Sequence, residues 1–337
     1  MEMNRKIYLL TGAAGNLGSN ISRLLISADE WVRALVLEGD PAIAHVAREA
    51  EIYTGDILDV SSLDRFFTVP EDTDLYVIHC ASIVSLEPDF SQKVHDVNII
   101  GTQNILDQCL QHKVKKLVYV SSTSAIPELP YDQAIVEVDH FAPDTVVGFY
   151  GKSKAAASQL VMNAVNHHDL DASIVFPTGI FGPYDYGFGL ITNNIIKFAK
   201  GKIPFGVAGT FNCADVRDLA AGVIACCSKG RKGEGYILGN KTVTMKDLFD
   251  EVADVYNSKR ITTILTTGQA KVLAVIAEAV GKVTKKPTPL TRFTIYNLCR
   301  NNNFCSEKAF RELNFQCRPF SETIRDEVHW LRAEGKI

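Results

Sequence analysis

The sequence predicts an α/β protein, a doubly wound parallel sheet with a smaller C-terminal lobe. Three observations predict it. Short β-branched runs alternate with helix-length segments through the first half of the chain. Several of those runs are apolar almost throughout, as strands covered on both faces are. A glycine-rich turn joins the first run to the first helical segment. Alternation at this spacing implies right-handed strand–helix–strand crossovers, with helices on both sheet faces.

The elements follow in order. Runs at 7–11, 32–37, 52–55, 75–81, 116–121 and 173–176 read as strands. Segments 17–28, 90–112 and 145–167 read as helices, the last announced by Pro143 and Asp144. Beyond Pro177, "PTGIFGPYDYGFG" holds two prolines and four glycines and reads as a long loop. Residues 1–177 therefore carry the main sheet, and 178–337 form mostly the second lobe. "DVRDLAAGVIACC" and "GYILGN", near 212–240, are expected to return to the sheet. "VLAVIAEAVG" at 272–281 carries Glu278, is too short to span a bilayer, and reads as a buried amphipathic helix.

Composition narrows the function. The chain has 337 residues, 46% hydrophobic and 22% charged, enough for a large core and against global disorder. A formal net charge of −4 excludes a general nucleic-acid surface. The start lacks the apolar core of a secretory signal. Eight cysteines show no CxxC pair and no metal-type spacing. They read as reduced thiols of a cytoplasmic protein without a metal. A small-molecule substrate is the expected partner, with no nucleic acid and no membrane.

The turn "TGAAGNLG" places Gly12, Gly15 and Gly18 at the first strand–helix junction. Gly12 allows a tight exit from the strand, and Gly15 allows backbone to approach a pyrophosphate. Gly18 lets the helix sit close, with its amides aimed at the anion. The second strand then ends in Leu37 and Glu38. An acid there binds the ribose 2′-hydroxyl, whereas a base accepts a 2′-phosphate. Glu38, with Leu37 in the place an arginine would take, leans the reading to NAD, with NADP as the alternative. Asp56 ends the third strand, close to an adenine in this geometry or as a turn residue.

"FYGKSKAA" supplies the chemistry. Tyr150 and Lys154 are four residues apart and share a helix face with Ala157 and Val161. A free phenol, with a pKa of ~10, exchanges protons poorly at neutral pH. A nearby cation lowers that value, so Lys154 is expected to tune Tyr150 as an acid/base and to reach a cofactor ribose. Ser121, Ser122, Thr123 and Ser124 follow the fifth strand, at the end where ligands bind in open sheets. Thr123 is chosen as the hydroxyl that orients the substrate oxygen, against Ser122 and Ser124 on the opposite strand face.

Together, "TGAAGNLG", "GDILD", "HCAS", "VNIIGTQNIL", "SSTS", "YGKSK", "FPTGIFGP" and "DVRDLA" resemble the extended short-chain dehydrogenase/reductase family, the NAD-dependent epimerase/dehydratase superfamily. The resemblance covers nearly the whole chain. It implies a Rossmann-like domain, a C-terminal substrate lobe and frequent homodimers. In such dimers segments 90–112 and 145–167 would pair through Ala155, Ala156 and Ala157. It implies cofactor contacts from Gly12, Gly15, Asn16, Leu17, Gly18, Asp56 and Ile57. Cys80, Ala81, Ser82, Pro177, Gly179 and Ile180 would lie toward the nicotinamide, with Tyr150 and Lys154. Thr123 falls on the family's Ser/Thr position, and Asn98 on a supporting asparagine.

"FGPYDYGFG" and the C-terminal segment look like the dihydroflavonol-reductase and 3β-hydroxysteroid-dehydrogenase-like branch, which interconverts ketones and secondary alcohols. Leu37 departs from the arginine many of that branch carry. A sugar-nucleotide epimerase is the rival, although "VVGFYGKSK" differs from the usual "NPYGxSK" and no arginine cluster is obvious beyond Arg217, Arg292 and Arg300. A dehydratase would place an acid after the Ser/Thr, where Ser124 and Ala125 stand. A non-catalytic dinucleotide sensor would commonly lack the Tyr/Lys pair. Phe181, Tyr184, Tyr186, Phe188 and Phe211 either line an aromatic pocket or pack under a lid.

Overall fold

The computed structural model describes residues 5–284, 288 and 290–337. Its strands are β1 (Arg5–Thr11), β2 (Trp31–Val36), β3 (Glu51–Thr54), β4 (Thr73–His79), β5 (Lys116–Val120), β6 (Ala172–Pro177), β7 (Gly179–Phe181), β8 (Gly206–Val207), β9 (Thr210–Asp215), β10 (Gly235–Leu238), β11 (Lys241–Thr244) and β12 (Ile264–Leu265). Its helices are α1 (Asn16–Ser27), α2 (Val60–Phe67), α3 (Gln92–His95), α4 (Gly101–Gln111), α5 (Phe149–His168), α6 (Leu190–Ala199), α7 (Val216–Lys229), α8 (Met245–Tyr256), α9 (Thr267–Thr284), α10 (Arg292–Cys299), α11 (Glu307–Leu313) and α12 (Phe320–Ala333).

The main sheet has seven strands in the order β10-β6-β5-β4-β1-β2-β3, every pair parallel. Side chains alternate faces along each strand, and both faces are apolar. Ile7 and Leu9 join a core with α2, α4 and α5, while Tyr8 and Leu10 join the opposite core with α1, α7 and α11. That double burial is why these strands read as nearly continuous apolar runs. The strand order reverses between β1 and β4, which opens a crevice at their carboxyl ends. As expected, β10 and α7 return to this sheet.

Four readings change. The segment 90–112 is not one helix: a π-helical turn, Asp96–Ile100, separates α3 from α4. Helix α5 begins at Phe149 rather than 145, because Pro143–Thr145 closes a separate 3-10 turn and Gly148 enters at φ +81°. The stretch after Pro177 is not all loop, since β7 pairs with β9 in a three-stranded sheet with β11. Ala155 and Ala157 are fully buried in the chain's own core, so they are not available for close approach of a second copy.

The aromatics after β6 serve packing. Tyr184, Tyr186 and Phe188 surround Trp330 at ring distances of 6.3, 5.4 and 5.9 Å. Phe181 packs edge-on against Phe211 and Phe320. Tyr186 stacks on His45 at 3.5 Å, tying this loop to the main sheet's side of the molecule. The eight cysteines are all free thiols. No helix among the described residues is long and apolar enough to cross a membrane.

Candidate active site

The glycine-rich turn is built on close backbone contact. A Cβ on Gly12, whose φ is +68°, would stand 2.7 Å from the Ala81 nitrogen. A Cβ on Gly18 would stand 2.1 Å from the Gly12 oxygen. Only glycine tolerates either position. Gly15 caps α1 without a side-chain hydrogen bond, so the first amides of the helix stay free of an internal cap. The Asn16 Oδ1 is buried without a partner beside them.

A cavity of about 750 Å³ opens over this turn, within the size range of cofactor pockets. Gly12, Gly15, Asp56, Ile57, Cys80, Ala81 and Ser82, all expected from the sequence, line it together. Asn16, Leu17, Gly18, Tyr150, Lys154 and Pro177 do not; Leu17 is a core residue. Its donors and acidic groups, with the glycine cradle, fit a dinucleotide: amides at α1 for phosphate, carboxylates at the far end for ribose or adenine. The carboxylates of the lining are Asp40, Asp56 and Asp96. Glu38 is exposed and outside the lining, whereas Leu37 and Asp40 are part of it. The turn after β2 carries Glu38 outward and brings Asp40 back, its Oδ1 accepting from the Ala42 amide at 2.9 Å. Period-two reading of the strand could not anticipate that reversal.

Tyr150 and Lys154 lie on the first turns of α5. The Lys154 Nζ donates to the Val120 carbonyl at 2.8 Å and to the Tyr119 phenol at 3.3 Å. Burial pushes the lysine down to about 7, with Cys80 acting weakly in the other direction. Burial likewise pushes the Tyr150 phenol up, and the Ser122 hydroxyl against it pulls it back. The expectation that Lys154 lowers the Tyr150 pKa therefore does not hold in this arrangement. The ammonium is directed at Val120 and Tyr119, and desolvation governs both groups.

Of the hydroxyls after β5, that of Ser122 lies near enough to Tyr150 to pull its phenol down. Thr123 is buried and turns its Oγ1 to the Pro177 carbonyl at 3.4 Å. The chain leaves β5 into a 3-10 turn over Thr123–Ala125, and that turn rotates the side chains out of strand alternation. Pro177 thus holds the Ser/Thr turn from β6. Gly179 and Ile180 continue into β7 beside β9 and lie outside the cavity lining.

A buried polar layer supports this group, and most of it escaped the sequence reading. His79 is buried between Thr11 and Thr102, with ring nitrogens 2.7 and 3.1 Å from their hydroxyls. Burial, reinforced by Lys154, holds it down at about 3, so it is neutral at physiological pH. The hydroxyls of Thr102 and Ser121 pull the Tyr119 phenol back from the rise that burial gives it. Asn98, in the π turn, accepts from the Ile83 amide at 2.8 Å and donates to the Ser153 hydroxyl at 3.0 Å. It supports α5 rather than meeting Tyr150, as a supporting asparagine would. Among the described residues, no cluster of His, Cys, Asp and Glu could hold a metal.

Two of the three arginines weighed for a pyrophosphate are committed to carboxylates. Arg217 is committed to Asp215 and Asp326, and Arg292 to Glu278. Arg300 lies over the Phe304 ring.

Comparison with known proteins agrees with this architecture. The profile of the NAD dependent epimerase/dehydratase family matches residues 8–239. Sterol demethylase protein B of Methylococcus capsulatus is 27% identical over 336 residues, 98% of this chain and 99% of that protein. The 3 beta-hydroxysteroid dehydrogenase/Delta 5→4-isomerase of Monkeypox virus is 31% identical over 188 residues, 53% of this chain and 54% of that protein. The crystal structure of gox2253 superposes with a TM-score of 0.85 at 27% identity, covering 98% of this chain and 99% of that one.

Proposed function

The chain belongs to the NAD-dependent epimerase/dehydratase family, and from that premise we propose an NAD(P)-dependent oxidoreductase that interconverts a ketone and a secondary alcohol on a small, apolar or cyclic substrate. In this reading residues 1–177, with the returns near 212–240, hold the cofactor, and 178–337 form mostly the substrate lobe. The names of two relatives contain sterol or hydroxysteroid, so a polycyclic alcohol or ketone is the first substrate class to test. The observation that carries the proposal is the placement of Tyr150 at the start of α5, one helical turn from the buried Lys154 that β5 holds, with the Ser122 turn at the carboxyl end of that strand.

The chain's residues divide the work. NAD, when bound, exchanges a hydride with the substrate carbon. Ser122 holds the substrate oxygen against Tyr150. A phenol kept protonated by burial donates its proton to that oxygen in reduction and takes it back in oxidation. Lys154, fixed by Val120 and Tyr119, stands one helical turn from Tyr150 and would reach the cofactor ribose. Gly12, Gly15 and the amides of α1 hold the pyrophosphate, and Asp40 with Asp56 faces the adenosine end. Two copies would pair along α4 and α5 without close approach at Ala155 and Ala157, which the chain's own core buries.

The experiment is a panel of cyclic ketones, secondary alcohols and sugar nucleotides run with NAD(H) and NADP(H). Turnover of a cyclic ketone or alcohol supports the proposal. Turnover confined to sugar nucleotides would favour the epimerase. Cofactor binding with no turnover across the panel would favour a sensor. The committed arginines support the first outcome, because a sugar nucleotide needs cations for its diphosphate.

A further inference from the structure

Helix α9 was expected to be buried, yet the chain leaves one of its faces uncovered. Val272, Val275, Ile276, Val280 and Val283 are 64, 52, 54, 53 and 84% exposed. Their spacing places them in a single stripe three turns long. The opposite face is covered: Ala270 and Ala274 are fully buried with Val207 and Ile295. Scattered exposed apolar residues are ordinary, but five on one helix face form a patch of the kind that binds something.

The flank beside the stripe carries two lysines and one carboxylate, and that carboxylate is paired with an arginine. Lys271 and Lys282 are exposed and lie three turns apart on the same flank. The carboxylate nearest them in sequence, Glu278, is already held by the Arg292 side chain at 2.9 Å and its amide at 2.7 Å. We propose that this face docks on an anionic membrane surface, the stripe entering the acyl boundary and the lysines reaching the headgroups. Self-pairing is the competing occupant. An antiparallel twofold pair of α9 helices would bring Lys271 of one copy toward Lys282 of the other, while Glu278, the one carboxylate of α9, is held by Arg292. Anionic headgroups neutralise the same charges.

The location suits such a role. Helix α9 packs on α10, and α10 carries Phe293 onto Gly148, two residues before Tyr150. A surface-bound α9 would hold the wall of the candidate site at the bilayer, where apolar molecules partition. The docking claim itself does not depend on the oxidoreductase reading. It also differs from a membrane span, for which no helix among the described residues is suited.

The test is flotation of the full chain with vesicles of phosphatidylcholine, alone or mixed with phosphatidylserine. Binding is expected to the mixed vesicles and to fall at least about tenfold with Val275→Glu/Val280→Glu or Lys271→Glu/Lys282→Glu. Circular-dichroism melts check that these exposed substitutions leave the fold intact, and Val272→Ser/Ile276→Ser gives a milder second apolar variant. Absence of binding to mixed vesicles overturns the proposal, as does binding that all three variants retain. A chain that elutes as a dimer, becomes monomeric in Val275→Glu/Val280→Glu and ignores vesicles overturns it in favour of a second copy.

Discussion

Lys154 reaches Tyr119, its Nζ 3.3 Å from the phenol oxygen, while the same nitrogen holds the Val120 carbonyl at 2.8 Å. The lysine is therefore positioned by β5 and buried without a carboxylate partner among the described residues. Its consequence is a pH-dependent cost. Folding lowers its pKa from 10.5 to about 7, so between those values the unfolded chain binds more protons than the folded one. Stability then rises with pH across that window. Thermal melts from pH 6 to about pH 10 test this. Wild type should gain stability relative to Lys154→Met as pH rises, and parallel curves would mean the amine is not desolvated.

The hydroxyl assignment is separable by substitution. Ser122→Ala should lower kcat by about 10²-fold, the loss of one donor to a reacting oxygen. Thr123→Val should cost about 1 kcal/mol of stability through its bond to Pro177 and leave kcat nearly unchanged. The reverse pattern would return the role to Thr123.

Gly12 and Gly39 have similar dihedrals, φ +68° and +72°, in different surroundings. Gly12 meets Ala81 backbone, and Gly39 has nothing within 4 Å. Gly39→Ala should cost about 1 kcal/mol from the dihedral alone. Gly12→Ala should cost more, by denaturant unfolding, and should also weaken cofactor binding. Equal losses would remove close approach as the reason for the glycine.

Cofactor choice is expected to lie with Leu37 and Asp40. Leu37→Arg places a cation in the cavity lining and should raise NADPH affinity at least tenfold, about 1.4 kcal/mol. Glu38→Ala should leave both cofactors nearly unaffected, because that side chain is exposed outside the lining. Fluorescence titration of NADH and NADPH reads both effects. A selective loss of NADH in Glu38→Ala would restore the ribose contact to that residue.

The main sheet was legible because its strands are buried on both faces and carry that in their composition. The glycine turn and the Tyr150–Lys154 spacing were legible because both are local. What was not legible depends on long-range contact. The π turn at Asp96–Ile100 contains Asn98, bonded to Ile83 and Ser153, neither of which a helical period reveals. The choice of Ser122 follows from a turn that ends strand alternation, and the inward Asp40 from a reversal after β2. Helix α9 showed its apolar residues plainly, but periodicity cannot say whether the chain covers them. His79 looked like a strand residue until Thr11 and Thr102 closed around it.

The most direct measurement compares Tyr150→Phe with wild type for cofactor binding and for turnover of a substrate the panel identifies. The substitution removes one oxygen and keeps the ring, so NADH affinity should stay near wild type while kcat falls by about 10²–10⁴-fold. Turnover within a few-fold of wild type would contradict Tyr150 as the proton donor and, with it, the proposed chemistry of the site.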